Sequence, residues 1–118
     1  MLETPGAVAG GSCHCGAVQV QVASLPRDLN DCQCEHCQKR GALWAYYQAD
    51  QVEISGATST YRWGEKSIDF HFCPTCGMTT HWSAVDPSYK RMGINGRVFG
   101  RDVFQPIPQR KGHPGRGG

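Results

Sequence analysis

Residues 67–77 read Ser67-Ile68-Asp69-Phe70-His71-Phe72-Cys73-Pro74-Thr75-Cys76-Gly77, and two signals meet there. Ile68, Phe70 and Phe72 alternate with Asp69 and His71, the period of two that marks a strand with distinct faces. That strand delivers the chain into a CxxC turn, whose two sulfurs can approach one metal at about 2.3 Å. The glycine that follows tolerates the positive φ that lets backbone N–H groups reach the thiolates. A rigid strand thus presents a metal ligand.

Outward from this knuckle lie two more cysteine groups, Cys13-His14-Cys15-Gly16 and Cys32-Gln33-Cys34-Glu35-His36-Cys37. The total of 7 cysteines is odd, so disulfides within one molecule cannot use them all. A closed tetrahedral zinc site takes four ligands, and a reactive one takes three with a position left for exchange. Pairing Cys13 and Cys15 with Cys73 and Cys76 gives the closed structural site and leaves Cys32, Cys34 and Cys37 as a compact triad. A competing partition joins Cys34, Cys37, Cys73 and Cys76 as a ribbon of two knuckles, and it strands Cys13, Cys15 and Cys32. Spacing alone leaves both partitions open. A third reading, buried free thiols acting as small hydrophobes, fits poorly with clusters set among polar residues.

The 118 residues suit one domain. With 15 glycines and 7 prolines, the chain calls for short elements and many turns. Val18, Val20 and Val22 alternate with Gln19 and Gln21 in a half-buried strand over Ala17 to Ala23. Further strand signals fall at Ala42–Gln48, Gln51–Ile54, Ser59–Trp63, Ser67–Phe72, Thr79–Ser83 and Arg91–Asn95. One or two helical turns are expected at Glu35–Arg40. Residues 1–10 and 106–118 read as flexible ends around a zinc domain over 11–105, the C-terminal one basic through Arg110, Lys111 and Arg116.

A formal charge of +2 is too small to argue for nucleic acid, and three basic residues spaced by glycines give only weak attraction to it. No run approaches the roughly 20 apolar residues of a membrane span. The start of the chain lacks the basic and apolar regions of a secretion signal, so the expected compartment is the cytoplasm, where thiolates bind metal more often than they pair.

The run Gly11-Ser12-Cys13-His14-Cys15-Gly16-Ala17-Val18, the segment Cys32 to Cys37 and Phe72-Cys73-Pro74-Thr75-Cys76-Gly77 together resemble the glutathione-dependent formaldehyde-activating enzyme family, whose domain is shared with the centromere protein V group. The resemblance implies a mainly β fold, the Mss4-like β-tent of small antiparallel sheets stapled by zinc. It implies structural zinc on Cys13, Cys15, Cys73 and Cys76, and a catalytic, exchangeable zinc on Cys32, Cys34 and Cys37. It also implies the condensation of glutathione with formaldehyde to S-hydroxymethylglutathione, a carbon–sulfur lyase reaction run in reverse. The reading to set against this is a non-catalytic zinc module that binds a thiol or a protein.

His36, His71 and His81 are the candidates to move a proton, each more simply read as a surface or structural imidazole, while His14 is a spacer between ligands. Trp44, Tyr46, Trp63 and Trp82 are candidates to line a pocket, with core packing the plainer role. Lys39 and Arg40, just after Cys37, are placed to attract a substrate carboxylate, against the plainer reading of a solvated turn.

Overall fold

The computed structural model describes residues 9–64 and 66–112. The strands are β1 (Ala9–Ser12), β2 (Gln19–Val22), β3 (Leu29–Cys32), β4 (Trp44–Gln48), β5 (Val52–Ser55), β6 (Ser59–Tyr61), β7 (Ile68–Phe72), β8 (Thr79–Ala84), β9 (Arg91–Asn95) and β10 (Gln109–Gly112). The α-helices are α1 (Glu35–Arg40) and α2 (Arg101–Phe104). Strands thus dominate, as the alternating patterns require, and the expected helix at Glu35–Arg40 is present. No helix among the described residues is long and apolar enough to cross a membrane.

The strands form two sheets, one ordered β1-β2-β5 and a larger one ordered β10-β3-β4-β9-β8-β7-β6. The main core lies between them. From the small sheet come Val20 and Val22 with Val52 and Ile54, and from the large sheet Ala45, Tyr47, Met92 and Ile94. Strict alternation turns Trp44 and Tyr46 to the other face, where a second cluster gathers Trp44, Phe70 and Trp82 around Cys32, Cys34 and Cys37. The large sheet therefore carries a structural core on one face and the cysteine triad on the other.

Two expectations need correction. Pairing is antiparallel except between β10 and β3, which run parallel from Gln109 beside Leu29 to Gly112 beside Cys32. The segment from Gln109 to Gly112 is therefore a strand within the stretch read as a flexible tail. Its polar side chains conceal this, because the attraction is between backbones: β3 offers an edge that would otherwise be unpaired. Arg110 Nε also meets Asp28 Oδ2 at 2.9 Å. At the other end, Ala9 and Gly10 belong to β1, paired with Val22 and Gln21. Residues 1–8 and 113–118, with Arg116, lie outside the described residues.

Candidate metal centres

Cys13 and Cys15 follow β1 in a turn. Gly16 has φ 85° and Gly77 has φ 80°, so the Cys13 turn is a knuckle like that of Cys73. Each knuckle is closed by backbone hydrogen bonds, Gly16 N–H to Cys13 O at 3.1 Å and Gly77 N–H to Cys73 O at 2.8 Å. N–H groups also point at sulfur: Val18 donates to Cys13 Sγ at 3.3 Å, and Thr75 and Cys76 donate to Cys73 Sγ at 3.4 and 3.5 Å. These dipoles favour the thiolate. Backbone hydrogen bonding, with Met78 foremost, draws the Cys76 thiol down to about 6.

The fold brings the two knuckles together, and their four sulfurs all lie within 4.8 Å of one another. The Sγ separations are 3.7 Å for Cys13 to Cys15 and 3.6 Å for Cys15 to Cys73. A tetrahedron with zinc–sulfur bonds of 2.3 Å has edges of about 3.8 Å, so the donor set fits a structural zinc. The group joins the end of β1, in the small sheet, to the end of β7, in the large one.

Cys32, Cys34 and Cys37 also lie with their sulfurs within 4.8 Å of one another, all three buried. The alternative grouping of Cys34 and Cys37 with Cys73 and Cys76 does not form. The triad is built locally. Cys34 is the N-cap of α1, its Sγ accepting from Cys37 N–H at 3.3 Å, and Gly41 closes the helix with φ 68°. Gln38 Nε2 donates to Cys32 O at 2.7 Å and to Asp31 Oδ1 at 2.9 Å, tying the helix to β3. The Trp44 indole N–H donates to Cys37 Sγ at 3.3 Å. Burial nonetheless pushes the Cys37 and Cys32 thiols up, so ionising them calls for a cation, and three sulfurs fit a metal with one position to spare.

Beneath the triad, cross-strand register lays out one row: Tyr46 pairs with Gly93, Gly93 with Trp82, Trp82 with Phe70 and Phe70 with Tyr61. A Cβ on Gly93 would stand 2.0 Å from Trp82 Nε1, so the missing side chain is what lets the indole lie across β9. Sequence reading singled out Trp44, Tyr46, Trp63 and Trp82 but missed Phe70 and Tyr61, whose place depends on pairing that no local pattern encodes.

His36 stacks on Trp63 at 5.5 Å and Tyr61 at 5.7 Å and meets Phe70 in a tilted contact at 4.3 Å. Burial, then the charge of Arg40, lowers its pKa to about 4, and neither ring nitrogen has a protein partner among the described residues. His71 and His81 pair across β7 and β8 on the opposite face and stack at 4.1 Å. His71 is bonded at both nitrogens, to Thr58 Oγ1 at 2.8 Å and Ser83 Oγ at 2.7 Å. Those two do not reach the triad face, and His14 is exposed. Lys39 is an exposed partner of Glu35 at 3.3 Å, whereas Arg40 lies over Tyr61 and Phe72.

Comparison with known proteins gives one family. The profile of the glutathione-dependent formaldehyde-activating enzymes matches residues 8–106. A Halomonas elongata protein that bears the family's name is 36% identical over 115 residues, covering 87% of this chain and 71% of its own. A crystal structure of a Rhodobacter sphaeroides protein superposes with a TM-score of 0.69 at 30% identity, covering 86% of this chain and 99% of that one. The chain belongs to the glutathione-dependent formaldehyde-activating enzyme family.

Proposed function

We propose that this member of the family joins a small thiol to a small aldehyde, with glutathione and formaldehyde as the pair that the family name supplies, and that it is formally a zinc-dependent carbon–sulfur lyase. The observation that carries the reading is the triad: three sulfurs gathered on a short helix and strand above an aromatic floor, separate from a four-sulfur group that suits a purely structural metal. In this reading Cys13, Cys15, Cys73 and Cys76 hold the structural zinc, and Cys32, Cys34 and Cys37 the exchangeable one.

A zinc held by the triad supplies a cation that makes a thiol ionise at neutral pH. The reaction needs no oxidant: the thiol loses its proton, a sulfur–carbon bond forms as the carbonyl π bond breaks, and the oxygen gains a proton. The protein's own residues set the stage. Trp44 N–H and Cys37 N–H fix the lone pairs of Cys37 and Cys34. Phe70, Trp82 and Trp44 exclude water from one side. Neutral His36 offers one donor and one acceptor nitrogen, both without a partner among the described residues, and is the residue assigned to carry the proton from sulfur to oxygen.

Cys34→Ser tests this cleanly, because serine is itself a good N-cap and keeps the helix start while removing a thiolate. The variant should stay folded, keep one zinc and lose the thiol-dependent consumption of formaldehyde, followed by proton NMR against the uncatalysed rate; undiminished consumption would sink the catalytic assignment. The near-complete burial of Cys32, Cys34 and Cys37 favours the second reading, a zinc module that binds a thiol or a protein without turnover. Glutathione binding by wild-type protein with no rate above background would select it.

A further inference from the structure

Arg40 is the feature of the triad's surroundings that packing alone does not explain. It stands three residues after Cys37 in α1, so the two side chains share a helix face. Its guanidinium lies 5.4 Å from the centre of the Tyr61 ring and 5.7 Å from that of Phe72, and one nitrogen donates to Thr79 Oγ1 at 2.9 Å. The plane of the group is thereby fixed by residues of β6, β7 and β8. Tyr61 is also the ring on which His36 stacks, which puts the guanidinium at the rim of the triad's aromatic floor.

The group is half-buried, yet no carboxylate among the described residues pairs with it. Three other cations differ, although Arg91 and Arg97 likewise lie over rings, Tyr46 and Phe104, with no carboxylate partner among the described residues. Lys39 is spent on Glu35, Arg62 on Asp69 and Arg110 on Asp28. A guanidinium carries five donors in a rigid fork, and a single hydroxyl uses only one. A planar cation set near two rings, with only Thr79 Oγ1 accepting from it among the described residues, has donors left to suit a bidentate carboxylate.

We infer that Arg40 is the anchor for a carboxylate of the thiol substrate, and that the site therefore selects thiols carrying a carboxylate over neutral ones. This rests on the reading that the triad takes a thiol. It assigns a specificity-determining contact to one residue and excludes its neighbour Lys39.

The test is a cycle in which the carboxylates and the arginine are removed separately and together. Isothermal titration calorimetry would compare glutathione with its diethyl ester on wild type, Arg40→Met, Arg40→Lys and Lys39→Met, all checked for folding by circular dichroism. Wild type and Lys39→Met should prefer the free acid by about ten- to hundredfold, the range expected for a charge-assisted fork. Arg40→Met should reduce that preference to about threefold or less, and Arg40→Lys should fall between because it keeps charge but not the fork. An unchanged preference in folded Arg40→Met overturns the anchor while leaving the thiol reading intact. If Arg40→Met does not fold, Arg40→Lys decides, and a preference equal to wild type overturns the assignment. Failure of wild type to bind either compound overturns the thiol reading and the anchor with it.

Discussion

Replacing Cys73 with serine should be far more damaging than replacing any triad cysteine. Cys73 is fully buried, accepts two backbone N–H groups and lies 3.6 Å from Cys15 Sγ, a residue 58 positions away in the chain. A cross-link closing a loop of that length removes about 4 kcal/mol of chain entropy from the unfolded state. Ligation adds to this, since structural zinc in small domains contributes about 10–16 kcal/mol at neutral pH. The net stability of a domain is about 5–15 kcal/mol, so the loss should consume most of it. Urea denaturation followed by the emission of buried Trp44 and Trp82, with zinc per chain from elemental analysis, reads both consequences. Cys73→Ser should show no cooperative transition, or a much lower midpoint, and one zinc fewer. A wild-type midpoint with undiminished zinc would refute the structural role of the four-sulfur group.

Gly93→Ala should destabilise by about 1–3 kcal/mol, the usual cost of overpacking, because the new Cβ falls 2.0 Å from Trp82 Nε1 and 2.6 Å from its Cδ1. An unmoved denaturation midpoint and tryptophan emission would show that the indole does not lie where it is drawn. His81 tests the opposite face. Burial, then the charge of His71, lowers its pKa to about 3, against about 6.5 unfolded. Between those values the unfolded chain binds more protons, so stability falls as pH drops from about 6.5 towards 3, by about 1.4 kcal/mol per unit. His81→Gln lacks this contribution, and its stability deficit against wild type should shrink by about 2 kcal/mol from pH 7 to pH 5. Acid loss of metal is common to both proteins and cancels; a constant deficit across that range argues against a buried neutral His81.

Much of this was legible because it rests on local pattern. Val18, Val20 and Val22 are buried as their alternation demands, and Glu35–Arg40 forms the helix that its neighbouring cysteines impose. What escaped reading has no local signature. Leu29–Cys32 carries too few apolar residues to alternate, and β1 is built of small residues whose packing depends on the strand beside them. Gln109–Gly112 is held through its backbone, to which side-chain patterns are blind. The aromatic row depends on register across five strands, although a glycine inside a strand pattern, as at Gly93, is a signal of close approach that points to it.

The two cysteine groups differ in chain separation and in electrostatic setting, and the first difference favours the proposed assignment of one fixed metal and one that exchanges. The knuckles join distant parts of the chain, so opening their site must cost the contact between two sheets. The triad sits on one short stretch already held by the Gln38 bonds to β3 and the indole bond from Trp44, so the local structure can outlast its metal. Backbone N–H groups draw the Cys73 and Cys76 thiols down before any cation arrives, although Cys15, despite a backbone hydrogen bond from Ala17, is pushed up to about 11 by desolvation and its neighbouring sulfurs; burial holds those of Cys32 and Cys37 up. If the triad holds a zinc as proposed, binding there would have to expel protons from raised thiols, which would tie its occupancy to pH. A triad whose fold does not depend on its metal is consistent with the proposed exchange of that metal's free position for a thiol.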